Sequence, residues 1–234
     1  MSFYGTSSIV IEMNAIPIVY ENEEIIIINK PAGVSVQGGK GIAHPLDKEL
    51  PEQTGHEIFL VHRLDKDTSG LMIAAKTKAA AAKWSKLVAS RAVKKEYDAI
   101  CIGTFAERQG VITDDIVQHG EVKRAVTQYA VSEVFEIDCG GEKLSLSLVR
   151  LALETGRMHQ IRAQSAFHGF PLLGDTAYGG SRIDEVRTFF LHAYEVRIGE
   201  NPVGLPPVLT STLPAAFESF NDKILPNWRK SFIL

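Results

Sequence analysis

His62-Arg63-Leu64-Asp65-Lys66-Asp67-Thr68-Ser69-Gly70-Leu71 sets ionisable and hydroxyl side chains between two apolar runs. Residues 58–62 before it and 70–75 after it read as pieces of strand, so the polar residues form a turn within a sheet. A loop entered and left by strands is a common place for catalytic groups. On the residues alone, Asp65 and Asp67 fit ordinary turn or capping carboxylates equally well.

Working outward, residues 19–29 read as a strand that ends at the turn Lys30-Pro31-Ala32-Gly33. Residues 37–57 are rich in Gly, Pro and charge and read as a loop. Residues 78–91 carry Trp84, Leu87 and Val88 at helical spacing, which predicts an amphipathic helix, and 97–103 return to strand character. Residues 126–137 and 144–153 form a hairpin across Asp138-Cys139-Gly140-Gly141. Its second arm alternates at Leu144, Leu146 and Leu148, then shifts to Val149, Leu151 and Leu153, a phase change that predicts a bulge. A short helix over 158–168 and a strand over 189–198 follow. Many strands with few helices predict an α+β fold on a largely antiparallel sheet.

The chain's 234 residues suit one large domain or two small ones. With 45% apolar and 23% charged residues, the composition is globular rather than disordered. Apolar runs such as Ile25 to Ile28 are too short to cross a bilayer, so no membrane is expected as a partner. The first residues lack the basic and apolar segments of a signal peptide. Cys101 and Cys139 form no CxxC pair, which speaks against a disulfide scaffold or thiolate metal site and fits a reducing cytoplasm. His159, His168 and His192 show no metal-ligand spacing, so no metal site is expected.

The net charge of −3 hides a basic run: Lys76, Lys78, Lys83, Lys86, Arg91, Lys94 and Lys95 occur with no acid among them. Such a run is either a solvated helix face or a phosphate-contacting surface. Two further segments concentrate polar groups. Lys94-Lys95-Glu96-Tyr97 opens a strand, where a Tyr often serves only packing. Thr155-Gly156-Arg157-Met158-His159-Gln160-Ile161-Arg162 precedes Gly174-Asp175-Thr176-Ala177-Tyr178-Gly179-Gly180, and on its own it reads as a capped helix with an exposed Arg.

Taken together, these segments resemble RluA-type pseudouridine synthases. HRLDKDTSGL resembles the family's HRLDxxTSGL signature, and Asn29-Lys30-Pro31-Ala32-Gly33 its NKPxG element. Lys95-Glu96-Tyr97 matches KxYxA, 155–162 match TGRxHQIR, 174–179 match GDxxYG, and Leu191-His192-Ala193 matches LHA. A lone DxxTSG would be a weak signal, whereas six motifs in the family's order are a specific one. The likeness runs from about residue 16 to 216.

The resemblance implies an α+β pseudouridine synthase fold: a mixed, mainly antiparallel sheet in two halves, with flanking helices and a central RNA-binding cleft. It makes Asp65 the catalytic aspartate, Tyr97 the ring stacked on the target base, and Arg162 the arginine paired with the aspartate. Arg63 would help displace the target nucleotide, with His62 and Leu191 also at the RNA. Lys83, Lys86, Arg91 and Lys94 would contact phosphates. Family members carry out their isomerisation without a cofactor, because nothing is oxidised or reduced. The expected partner is ribosomal RNA or transfer RNA, and the expected state is a cytoplasmic monomer. Many relatives carry an N-terminal S4-like domain. Motifs that begin by residue 28 leave no room for one, so residues 1–234 are expected to form a single catalytic domain.

The chemistry fits these residue types. Extruding a stacked uridine costs about a few kcal/mol. Asp65 must be ionised to attack the sugar or to take a proton from it, and a guanidinium at Arg162 would oppose the effect of burial. The Tyr97 hydroxyl is a candidate acceptor for the last proton, although an unperturbed phenol has a pKa of about 10. Two other functions remain open: a non-catalytic RNA-binding relative or RNA chaperone, and a nucleoside glycosidase that releases uracil.

Overall fold

The computed structural model describes residues 15–118, 120–139, 141–182, 188–199 and 204–214. In chain order these form β1 (Ile18–Glu21), β2 (Ile25–Lys30), α1 (Leu46–Thr54), β3 (Phe59–Leu60), β4 (Ser69–Ala75), α2 (Lys78–Ala89), β5 (Val93–Ile102), β6 (Gln109–Gln118), β7 (Glu121–Cys139), β8 (Glu142–Leu153), α3 (Gln160–Phe167), a 3-10 turn (Thr176–Tyr178), β9 (Leu191–Ile198) and β10 (Val208–Thr210). One sheet runs β1-β2-β4-β9-β5-β8-β7-β6, with β3 beside β4 and β10 beside β9. Every pairing is antiparallel except β4–β9. No helix among the described residues is long and apolar enough to cross a membrane.

The parallel contact is short. Ser69 pairs with His192 and Gly70 with Ala193, after which β3 takes over the same edge of β4 at Ala74 and Ala75. The sheet therefore has two halves joined at a narrow seam. Gly70, at φ 110°, is required there, because a Cβ would run into the backbone of Ala193. His192 bridges the seam, with Nδ1 2.9 Å from Ser69 Oγ and Nε2 2.7 Å from Ser211 Oγ. Burial pushes its pKa down to about 3, so the ring is neutral.

Unbroken apolar runs in β2 and β4 follow from burial on both faces. Ile26, Ile28, Met72 and Ala74 join a core cluster with Leu64, Tyr97 and Leu151. The alternate residues Ile25, Ile27, Leu71 and Ile73 pack against Ala80 and Trp84 of α2. The basic helix thus covers the face of β2–β4 that points away from Leu64 and Tyr97.

Three local expectations change. Residues 19–29 are two strands rather than one, because Asn22 Oδ1 accepts the backbone N–H groups of Glu24 and Ile25, each at 2.9 Å, and turns the chain. The expected loop over 37–57 contains α1, which buries Leu46 and Leu50 despite an internal Pro51. The bulge lies where the apolar phase shifts, but the extra residue is Ser132 on β7: Val131 pairs with Val149 and Glu133 with Leu148. In β8 itself, burial passes from one face to the other. Leu146 and Leu148 pack with Ile100, Leu173 and Phe190, whereas Val149 and Leu151 lie in the Tyr97 cluster.

Candidate active site

The Asp65 loop joins β3 to β4 and so ends at the seam. Its turn closes through Thr68 N–H to Asp65 O at 3.2 Å, and Lys66 O accepts Gly33 N–H at 2.9 Å. Leu64 anchors the loop in the core. Behind it, the fully buried Lys30 donates from Nζ to Pro31 O, Val34 O and Lys66 O at 2.8, 2.9 and 2.9 Å. Burial pulls the Lys30 pKa down to about 7, opposed by the charges of Asp67 and then Asp65.

The Asp65 side chain is 24% exposed, and its Oδ2 accepts Arg162 Nη1–H at 3.2 Å. Arg162 projects from the first turn of α3. Its main partner is Asp175, a buried carboxylate bound by Nε at 2.6 Å and Nη2 at 2.9 Å. The guanidinium also lies over the rings of Tyr178 and Phe189, at 4.7 and 4.5 Å. Burial works against its charge, but Asp175 and then Asp65 outweigh that, and its pKa rises above the ordinary value. Gly174 permits the tight bend before Asp175, since a Cβ there would overlap Thr188 O.

Residues 155–162 position α3 through buried amides. Gln160 Oε1 accepts from Thr155 Oγ1 at 2.7 Å and from Arg157 N–H at 3.0 Å. Its Nε2 donates to Val126 O and Thr127 Oγ1 at 3.1 and 2.8 Å. His159 stands at the N-cap position of the helix with a left-handed φ of 52°. Its Nδ1 is 3.0 Å from Tyr178 Oη, and its Nε2 is 3.6 Å from Asp65 Oδ1.

Tyr97 is nearly buried in the same cluster as Leu64 and Ile161. Burial, and then the charge of Asp65, raise its pKa, so the hydroxyl stays a neutral phenol. The structure therefore brings Asp65, Tyr97 and Arg162 together. The ring is almost wholly covered, and its hydroxyl is poorly set up to ionise.

The remaining candidates divide. Arg63 is exposed on the loop and donates to Gln37 Oε1 at 3.3 Å. His62 Nε2 accepts Ile73 N–H at 3.1 Å. Burial and then the charge of Lys95 hold the His62 pKa well below the ordinary range, so His62 fastens the loop to β4 as a neutral ring. Leu191 is buried beneath the site and pairs with Ala99. Lys83, Lys86, Arg91 and Lys94 do not join the Asp65 group. Lys83 is paired with Glu24 at 2.9 Å, whereas Arg91 and Lys94 line an open pocket of about 570 Å³ with Arg197. Lys30, His159, Asp175 and Tyr178 all stand within the family motifs, yet their types alone did not reveal a role. Only the fold shows that one guanidinium serves two carboxylates.

A partly exposed carboxylate at a seam, beside Tyr97 and tied to a shared guanidinium, is equipped to attack carbon or remove a proton. A family model described as RNA pseudouridylate synthase matches residues 24–167. Ribosomal large subunit pseudouridine synthase D of Vibrio cholerae is 41% identical over 182 residues, covering 70% of this chain and 52% of its own length. Ribosomal large subunit pseudouridine synthase C of Rickettsia prowazekii is 33% identical over 216 residues, covering 86% and 69%. The chain thus spans about half the length of the first relative and about two thirds of the second. Among solved structures, human RNA Pseudouridylate Synthase Domain Containing 4 aligns with a TM-score of 0.72 at 26% identity, covering 90% of this chain and 93% of that one. Human RNA Pseudouridylate Synthase Domain Containing 1 aligns with a TM-score of 0.69 at 27% identity, covering 85% and 83%. The expected α+β fold, mixed and mainly antiparallel, is the one these neighbours share. By the model match and these identities, the chain belongs to the RNA pseudouridylate synthase family, and its motifs are those of the RluA type.

Proposed function

We propose that the chain isomerises chosen uridines in RNA to pseudouridine, with Asp65 as the catalytic carboxylate. The observation that carries this is the placement of Asp65: 24% exposed, on a braced loop, bound to Arg162 and beside Tyr97. A protein that only bound RNA would need cations, not a partly exposed carboxylate held by a guanidinium that a second carboxylate fixes. The names of the relatives favour ribosomal RNA over transfer RNA as the target.

In this reading, RNA loses one uridine from its stack, and Arg63, exposed at the loop, fills the gap or holds a nearby phosphate. The base stacks on the Tyr97 ring, which is uncovered as the nucleotide enters. Asp65 attacks the sugar or removes a sugar proton, the bond from base nitrogen to sugar breaks, and the base turns. A base carbon then joins the same sugar carbon, which releases the Asp65 carboxylate or takes back the sugar proton, and the proton lost from the base carbon is matched by one gained at the freed base nitrogen. Atoms and electrons balance without an oxidant or reductant. Arg162 holds Asp65 through Oδ2, and Asp175 fixes Arg162. Lys86, Arg91 and Lys94 are the further residues assigned to the RNA side, whereas His62 serves it only by holding the loop.

The test is to incubate the protein with ribosomal RNA tritiated at carbon five of uridine and to digest the product. Tritium release with pseudouridine in the digest is expected. Free uracil would make the protein a glycosidase, and binding without either product would make it an RNA-binding protein.

A further inference from the structure

Asp65 has one oxygen held by arginine and one that is not. Oδ2 accepts from Arg162, whereas Oδ1 lies 3.6 Å from His159 Nε2, beyond hydrogen-bond range. Arg162 gives Asp65 a single 3.2 Å bond because Asp175 takes Nε and Nη2 at 2.6 and 2.9 Å. Among the described residues, the ion-pair partners of Asp65 are Arg162 and His159.

Helix capping does not explain an imidazole at position 159. The His159 side chain makes no capping hydrogen bond to α3, where Ser, Thr, Asp or Asn would supply one. Its φ of 52° is a conformation that Gly adopts freely and a residue with a Cβ does not. Strain of this kind at a site points to a role for the side chain. The ring is fixed at its far end by Tyr178 Oη, 3.0 Å from Nδ1, and its other nitrogen faces Asp65. Two forms of the ring carry a hydrogen on Nε2: the neutral tautomer in which Tyr178 Oη donates to Nδ1, and the imidazolium, in which both nitrogens carry one. Either form presents an N–H to Oδ1.

We infer that His159 is a positioning residue whose Nε2–H is the second donor to Asp65, closing on Oδ1 as the nucleotide enters and fixing the carboxylate against the ribose. Catalytic hydrogen bonds that are long in a free enzyme commonly tighten in the complex. The inference rests on Asp65 being the catalytic carboxylate, as proposed above.

The test compares wild type, His159→Gly and His159→Gln by single-turnover rate, filter binding and melting temperature. His159→Gly suits the backbone and lacks the donor. It should melt no lower than wild type and bind RNA within about twofold, yet turn over roughly ten- to a hundredfold more slowly. His159→Gln, whose amide nitrogen reaches toward the place of Nε2, should recover part of that rate. A full-speed His159→Gly, a His159→Gln no faster than it, or a rate loss that tracks a fall in melting temperature would each overturn the inference. These results count against His159 alone while wild type forms pseudouridine. A wild type that forms none counts against the catalytic reading instead.

Discussion

Lys30 ties the Asp65 loop to the turn after β2 with three hydrogen bonds from one buried ammonium. The sequence shows a lysine beside Pro31, and nothing in its type says that it is fully buried. Its pKa falls from 10.5 to about 7 on folding, mainly through burial. Between those values the unfolded chain binds the proton and the folded chain releases it. Stability therefore rises with pH across that window and is lost as pH falls toward 7. The effect is on the order of a few kcal/mol at most. Urea unfolding at intervals from pH 6 to 10 should show a steeper rise in wild type than in Lys30→Met, even though the variant is less stable throughout. Equal slopes would mean that the three carbonyls keep Lys30 protonated. The same scale limited the reading of Asp175, since a carboxylate after a glycine looks like a turn residue until Arg162 is seen to bind it.

At the scale of elements, the periodic segments were legible. Trp84 in α2, the β7–β8 hairpin and the strand character of β4, β5 and β9 all follow from spacing of apolar residues. What failed was local. Asn22 divides a continuous apolar run by a side-chain hydrogen bond, and α1 hides behind Pro51 with only Leu46 and Leu50 to bury. The basic run was legible as charge but not as place, because chain order does not say which face of β2–β4 a helix will cover. Lys86 lies on α2, on the face away from Leu64 and Tyr97, and Arg91 and Lys94 follow the helix beside Arg197, so all three are expected to affect RNA affinity rather than the chemical step. Lys86→Ala, Arg91→Ala and Lys94→Ala together should lower the magnitude of the salt slope by about one unit for each phosphate left without its cation, with the single-turnover rate at saturating RNA unchanged. An unchanged slope would make this a solvated surface. Lys83 is set apart by its pairing with Glu24, and its loss should register in stability instead.

Across the whole molecule, the site depends on the seam. Two half-sheets meet through two residue pairs of β4 and β9, a glycine that admits the Ala193 backbone, and a neutral histidine between two serines. Ser69, Gly70 and His192 belong to motifs that the sequence displays, so the family was readable from them. Their joint task was not, because it requires residues 69–70 and 192–193 to be neighbours. The Asp65 loop enters this seam from one half, while Tyr97 and Arg162 come from the other side of the chain order. The proposed catalytic group thus forms only when both halves are joined.

The central claim is that the Asp65 carboxylate performs the chemistry and does not merely help bind RNA. Asp65→Asn keeps the side chain's size and removes its charge, and its test is single-turnover conversion of ribosomal RNA measured beside filter binding. Pseudouridine should become undetectable while RNA is still bound, since affinity rests on phosphate contacts and stacking on Tyr97. Appreciable pseudouridine formation by Asp65→Asn would contradict the account.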